Sequence, residues 1–344
     1  MTETGERAGI ACVGNWIIDH VKTISTWPQE DTLASILAEE RGTGGSAYNV
    51  LVDLARFHAG VPLYGIGLVG DDADGEFIID DCYRHGIDAF WLQKTTDAPT
   101  AYTDVMTVKS TGRRTFFHQR GANALLKPEH VPVIKLPCKV VNIGYLLLLD
   151  GLDSEDAQYG TVGARLLADL RSQGMTTSID VVSEDSDRFE RIVTPALRQT
   201  DCCVINEIEA GRTVGRELRP GGKLDRRAME EVACQLIERG VGLLAIVHAP
   251  ELSVAATRSG KTVRQPSLAL PDDFIAGTAG AGDAFLAGVL LGLHADWPLD
   301  ETLRFATAAA ASCLRHPTTT GGVGTEHEIH ALLEEFPFRE DGDG

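Results

Sequence analysis

The segment with the most chemical content is Gly277-Thr278-Ala279-Gly280-Ala281-Gly282-Asp283, followed by the apolar run Ala284 to Gly292. Glycines let backbone approach a ligand, and the free N–H groups at a helix N-terminus attract anions. An acid in that position works against anion binding unless it has a task of its own. A general base beside an anion cradle is such a task, because phosphoryl transfer needs a deprotonated hydroxyl and a place for developing charge. The alternative reading is that Asp283 complements the helix dipole, worth about 0.3–1 kcal/mol. From these residues alone the two stand level. No Walker-type lysine follows, so the segment is not a P-loop.

A second glycine pattern, Gly65-Ile66-Gly67-Leu68-Val69-Gly70, matches GxGxxG. A dinucleotide fingerprint needs a strand ending at its first glycine and a helix starting before its last. Here Tyr64 to Val69 reads as one continuing strand, and Asp71, Asp72 and Asp74 read as the cap and first-turn acids of a later helix. A nicotinamide-dependent oxidoreductase therefore rests on a motif in the wrong context.

These residues need elements to position them. Ile10–Val13, Val61–Val69, Val140–Ile143, Thr176–Asp180, Cys202–Ile205 and Leu243–Val247 read as strands. Helical patterns fall between them at Ala47–His58, Gly75–His85, Tyr159–Ser172, Arg226–Arg239 and Asp283–Leu293. Such alternation predicts a mostly parallel sheet covered by helices on both faces. Two stretches break the rhythm, His20–Gly42 and Thr100–His118, the second with a turn at Ser110-Thr111-Gly112. They read as strands of a small subdomain projecting from the main sheet, and Arg339 to Gly344 reads as a disordered acidic tail.

Composition narrows the function classes. The 344 residues are 43% hydrophobic and 24% charged, enough to bury a large core without disulfides or metals. Fifty acidic against 31 basic residues give a net charge of −19, which disfavours nucleic acid and anionic membranes as partners. No run approaches the roughly 18 apolar residues of a membrane span. The polar N-terminus lacks a signal-peptide stretch, and seven cysteines without CxxC spacing fit a reducing, cytoplasmic setting.

Gly-Ala-Gly-Asp at the head of a small-residue helix resembles the second signature of the ribokinase-like (PfkB) carbohydrate kinases. Gly44-Gly45 with Asn49 four residues beyond is similar to the family's first signature. Gly67 to Gly75, the lid-like Gly112 to Phe116 with Gly121-Ala122-Asn123, and the NxxE run Asn206-Glu207-Ile208-Glu209 follow in the family's order, so the resemblance spans about residues 10–330. It implies a three-layer α/β/α domain over residues 10–338 with a small β-sheet lid, whose strands lie within about 20–42 and 98–120. It further implies ATP-dependent phosphorylation of a sugar or nucleoside hydroxyl, with Asp283 as general base and Gly280, Ala281, Gly282 and Asp283 as the anion hole. Asp19, Gly44, Gly45 and Asn49 would contact the acceptor. Asn206 and Thr278 would face ATP, and Asn206 and Glu209 would hold Mg²⁺ through water. A homodimer through the lid is a further implication.

Each residue also has a plainer reading: Asp19 as a turn cap, Gly44-Gly45 as a helix-leading turn, Asn49 on a polar helix face, Asn206 and Glu209 as a solvated helix start. The chain departs from the family at Gly277, where an acid associated with monovalent cations is missing, and at His248-Ala249-Pro250, where a Thr or Lys and a glycine turn are usual. The first argues against potassium activation. The second predicts a rebuilt nucleotide pocket, and leaves a non-catalytic ligand-binding protein as the competing function. Arg113, Arg114 and Arg120 fall in the lid. An inward guanidinium there would select a phosphorylated or acidic sugar, though exposed turn positions are the expectation for Arg113 and Arg114.

Overall fold

A computed structural model describes residues 7–340; residues 1–6 and 341–344, on which most of the N-terminal reading and of the tail reading fall, lie outside the described residues. In chain order the elements are β1 (Gly9–Gly14), β2 (Ile17–Ile24), β3 (Ile36–Gly44), α1 (Ser46–Phe57), β4 (Leu63–Gly70), α2 (Ala73–Arg84), β5 (Asp88–Thr95), β6 (Ala101–Val108), β7 (Arg114–Gln119), β8 (Cys138–Leu146), α3 (Asp150–Asp153) and the short pair β9 (Glu155–Asp156) and β10 (Gly160–Thr161). Then come α4 (Val162–Ser172), β11 (Thr176–Val181), α5 (Phe189–Leu197), β12 (Cys202–Asn206), α6 (Glu207–Val214), α7 (Arg226–Glu238), β13 (Leu244–His248), β14 (Leu252–Thr257), β15 (Thr262–Pro266), α8 (Ala281–His294), α9 (Leu299–Cys313) and α10 (Glu326–Glu335).

Nine strands form one sheet in the order β15-β14-β13-β12-β11-β8-β1-β4-β5. Seven of them run parallel, and β14 and β15 add an antiparallel hairpin at one edge. The side chains of β1 show why both faces must be covered: Ile10 and Cys12 enter the core beneath α1, α8 and α9, while Ala11 and Val13 enter the core beneath α4, α5 and α7. The result is the three-layer α/β/α arrangement expected from the alternation. A separate sheet in the order β3-β2-β6-β7 stands apart from it.

Close packing behind the site depends on small residues in α8. A Cβ on Gly288 would lie 2.7 Å from Ala306 Cα, and one on Gly292 would lie 2.5 Å from Thr302 Oγ1, so α9 can settle directly against the backbone of α8. Asp72 caps α2 by accepting from the Gly75 N–H, and Asp74 sits in the first turn, the places their spacing predicts. GxGxxG lies inside β4, as its context required. Arg339, read from sequence as the start of a loose tail, donates its N–H to the Ser267 carbonyl at 2.8 Å, so the ordered chain extends through it.

Candidate active site

In open parallel sheets ligands gather at the carboxyl ends of the strands. Here Gly14 ends β1, Tyr145 and Asp180 stand one residue from the ends of β8 and β11, and Asn206 and His248 close β12 and β13. The N-terminus of α8 faces this row. Gly280 caps the helix at φ 83°, where a Cβ would lie 1.9 Å from the Thr319 carbonyl oxygen, so no other residue fits. The N–H groups of Ala281, Gly282 and Asp283 belong to the first turn and have no acceptor within the helix.

Asp283 is 7% exposed. Its Oδ2 accepts from Asn49 Nδ2 at 2.8 Å and its Oδ1 from the Tyr145 hydroxyl at 2.9 Å. Burial lifts its pKa to about 6; the two hydrogen bonds oppose the rise and the nearby charge of Asp19 adds to it. At neutral pH it is therefore a carboxylate with more basicity than an exposed aspartate. The resemblance puts Asn49 against the acceptor; in the structure its amide also donates to Asp283, 234 positions away in sequence.

Beside Asp283 lies a cavity of about 170 Å³ whose walls include Tyr145, Asp180, Glu209 and His248. Burial, then the charges of Glu209 and Asp283, push the Asp180 carboxyl well above its ordinary range, while Ser46 Oγ and the Val181 N–H donate to it at 3.1 and 2.8 Å. Burial raises Glu209 to about 7 against hydrogen bonds from Ser183 and Asn206. Asn206 caps α6, its Oδ1 accepting from the Ile208 and Glu209 N–H groups, while Glu209 reaches back to the Asn206 N–H at 2.9 Å. The two residues thus form a capping box that starts α6, with the Glu209 carboxyl buried.

This donor set fits Mg²⁺. Crowded carboxylates with raised pKa values favour a cation among them. Among the described residues no group of three His, Cys, Asp or Glu side chains could hold a metal ion by itself, so water and phosphate oxygens would have to complete the shell of any Mg²⁺ here.

Across the Gly280–Gly282 turn opens a largely apolar cleft of about 390 Å³, lined by Asn206, Pro250, Leu268, Thr278, Phe285 and, at its rim, Arg339. Asn206 and Thr278 both reach it, as do Ala281 and Gly282. His248 forms a wall common to the cleft and the carboxylate cavity. Its ring packs on Phe285 at 5.2 Å between centroids, and burial lowers its pKa to about 4, so it is neutral.

Asp19, on β2 of the small sheet, is near enough to Asp283 for its charge to be felt there. Burial raises Asp19 to about 6, and a hydrogen bond from Thr103 and the charges of His20 and Arg114 hold it back. A Cβ on Gly44 would sit 2.5 Å from Asp19 Oδ2, and one on Gly45, at φ 93°, would sit 2.4 Å from the Asn15 carbonyl oxygen. The glycine pair therefore lets Asp19 and the start of α1 approach each other. Of the three lid arginines, Arg113 is exposed and Arg120 pairs with Asp150. Arg114 is half-buried and reaches the Pro317 carbonyl, not the solvent turn expected of it. Tyr145 and Asp180 escaped notice as site residues. An acid at the end of the strand read as Thr176–Asp180 was a usable signal for Asp180; Tyr145 lay just past the strand end that the sequence suggested.

The pfkB family carbohydrate kinase model matches residues 7–325. A 5-dehydro-2-deoxygluconokinase of Geobacillus kaustophilus is 22% identical over 316 residues, covering 90% of this chain and 88% of the relative. An ATP-dependent ribose-1-phosphate kinase of Halopiger xanaduensis is 26% identical over 297 residues, covering 86% and 88%. The structure of Arabidopsis thaliana ribokinase complexed with ribose and ATP aligns with a TM-score of 0.77 at 21% identity, covering 95% of this chain and 99% of the other. With a family match over nearly its whole length, and a fold and helix mouth of this form, the chain belongs to the pfkB family of carbohydrate kinases.

Proposed function

We propose that the protein transfers the γ-phosphoryl group of ATP to a hydroxyl of a sugar or sugar-like acid, with Asp283 as general base. One observation carries this reading: a buried carboxylate with raised pKa, fixed by two donors, sits in the first turn of a glycine-capped helix between two recesses. Asp283 takes the proton of the acceptor hydroxyl as its oxygen bonds to the γ-phosphorus and the bond from phosphorus to the ADP oxygen breaks. The N–H groups of Ala281, Gly282 and Asp283 receive the charge that develops on the transferred group. Asp19, with Gly44 and Gly45 beside it, orients the acceptor, and Asn49 acts by holding Asp283. Asn206 and Thr278 line the nucleotide side. Asp180 and Glu209, directly or through water, would hold Mg²⁺, which supplies charge neutralisation to the phosphates.

The relatives' names bring sugar acids, ribose phosphate and ribose into the candidate acceptor class. Exposed Trp27, Leu33, Leu37 and Phe117 on the lid support a homodimer formed there. Pro250, which removes a donor N–H from the cleft wall, supports the competing reading of a ligand-binding protein.

ADP release from Mg-ATP across neutral sugars, sugar acids, sugar phosphates and nucleosides tests the proposal. Asp283→Asn is expected to lower acceptor-dependent turnover by about 10²- to 10⁴-fold. Because burial raises the pKa of Asp283, the stability it contributes below its unfolded pKa is lost as pH rises through about 6, so the variant should melt no lower than the parent at pH 7.5. Undiminished turnover in the variant removes Asp283 as base, and acceptor binding without ADP favours the competing reading.

A further inference from the structure

Strand register settles what the inner face of the small sheet presents. Asp19 stands opposite Thr103, Thr103 opposite His118, and Thr107 opposite Arg114. Opposed residues, and every second residue along a strand, share a face. Asp19, Thr103, Thr107, Arg114 and His118 therefore look the same way. Asp19 is close enough to Asp283 for its charge to act there, which turns that face towards α8.

Several buried polar atoms around it lack protein partners among the described residues: His118 Nε2, Thr107 Oγ1 and, from the strand end below, Asn15 Nδ2. The atoms opposite them are committed. His118 Nδ1 lies 3.0 Å from Thr103 Oγ1, so Nε2 is the ring nitrogen left to meet a ligand. Asn15 Oδ1 accepts from the Tyr145 N–H, leaving its amide hydrogens as donors. Unpartnered nitrogen and hydroxyl groups side by side match the hydroxyls of a polyol.

Arg114 adds a charge. Its Nη2 donates to the Pro317 carbonyl at 3.4 Å, in the loop that packs on Gly277 and Gly280. Arg41, Arg120, Arg188 and Arg219 each have a carboxylate within ion-pair distance. Arg114 has no carboxylate within ion-pair distance among the described residues, and Asp19 lies only near enough to feel its charge. A guanidinium left without a carboxylate at ion-pair distance, spanning from the acceptor sheet to the loop beneath the anion cradle, is placed to receive one from a ligand.

We propose that the acceptor is an anionic sugar derivative, a sugar acid or a sugar phosphate, whose acidic group is bound by Arg114 while its hydroxyls meet Asp19, His118 and Asn15. This rests on the kinase reading and specifies its acceptor.

The test compares aldonic acids, pentose and hexose phosphates, and the neutral sugars of matching skeleton, with the parent chain, Arg114→Met and Arg114→Lys. Turnover and acceptor-induced shifts in Tm are read in parallel. The anionic acceptor is expected to exceed its neutral match in kcat/KM by about 10- to 100-fold, the worth of a charge-assisted hydrogen-bond pair. Arg114→Met should erase that margin through the acceptor KM, leaving the KM for ATP unchanged, and Arg114→Lys should restore part of it. Which acid group loses affinity identifies carboxylate or phosphate. Equal use of neutral and anionic sugars, or an Arg114→Met loss shared equally by both, overturns the proposal. If no acceptor yields ADP, the kinase reading falls separately. Thermal stabilisation by the anionic sugars that Arg114→Met abolishes would still support the anion site, and its absence would overturn it.

Discussion

At the mouth of α8 each carboxylate oxygen of Asp283 has a protein donor, Asp180 accepts from Ser46 and Val181, and Glu209 is tied to Ser183 and Asn206. On the inner face of the small sheet, by contrast, His118 Nε2 and Thr107 Oγ1 are buried without partners among the described residues, and Arg114 reaches Asp19 only through its charge. The groups that would do chemistry are preorganised by the protein, so little reorganisation remains for the transition state. The groups that would recognise the acceptor are incomplete until something polar arrives. A fold that splits its polar atoms in this way can keep one reaction and change acceptors by altering the sheet alone.

Substituting a glycine on each side would break or sharpen this contrast most strongly. Gly280→Ala forces a Cβ to within 1.9 Å of the Thr319 carbonyl oxygen at φ 83°. We expect kcat to fall at least about 100-fold, by analogy with loss of an oxyanion donor, and stability to fall by roughly 1–3 kcal/mol. Gly42→Ala, beside Asp19 in the small sheet, has open space around its Cβ. It should change stability by no more than about 0.5 kcal/mol. Stopped-flow turnover and urea unfolding of the pair would check this, and similar losses in both would refute a rigid cradle facing an adaptable sheet.

What the sequence disclosed follows the same division. Mostly apolar runs alternating with amphipathic ones were enough for the parallel sheet and its two helical layers, because strands covered on both faces are largely apolar, although β11 buries Thr177, Ser178 and Asp180. The edge elements were harder. β5, which alternates exposed and buried residues, and the β14–β15 hairpin, with Ser259-Gly260 between its strands, are not among the strands that the sequence suggested. In the site, Gly280 to Asp283, Asp19 and Asn206 were legible because glycine, acid and cap residues have local meaning. The role of Asn49 was not, since its partner is 234 positions away. Nor was that of Tyr145, 138 positions from the same carboxylate. Arg114 stood in plain sight, but only its register opposite Thr107 reveals which face it takes.

Tyr145→Phe probes the preorganised side more gently. Burial keeps the phenol protonated and therefore a donor to Asp283. That bond favours the carboxylate form, so losing it raises the Asp283 pKa above about 6 and moves the acid limb of the kcat profile to higher pH. We expect a loss of about 3- to 10-fold near pH 6.5, from the worth of one hydrogen bond to a charge, shrinking towards pH 8.5 where both forms are ionised. A uniform loss at every pH would mean that Tyr145 positions the base without tuning it.

The smallest effect concerns an unpartnered group that the acceptor cannot complete. Asp53 lies on α1, one turn beyond Asn49, fully buried, with neither carboxyl oxygen bonded to any described residue. Burial and the charge of Asp283 push its pKa well up, and Arg56 only partly offsets them. A pKa raised on folding means that the stability contribution is complete below the unfolded pKa and is lost as pH climbs through the folded one. Asp53→Asn cannot ionise, so it removes that slope. Its Tm should exceed the parent's increasingly as pH rises from the unfolded carboxylate pKa, levelling off once the raised folded pKa is passed. Because Asp53 lies behind the chemistry and not on the acceptor face, the gain should be the same with and without saturating acceptor. A gain that acceptor abolishes would instead join Asp53 to the incomplete, ligand-filled half of the molecule.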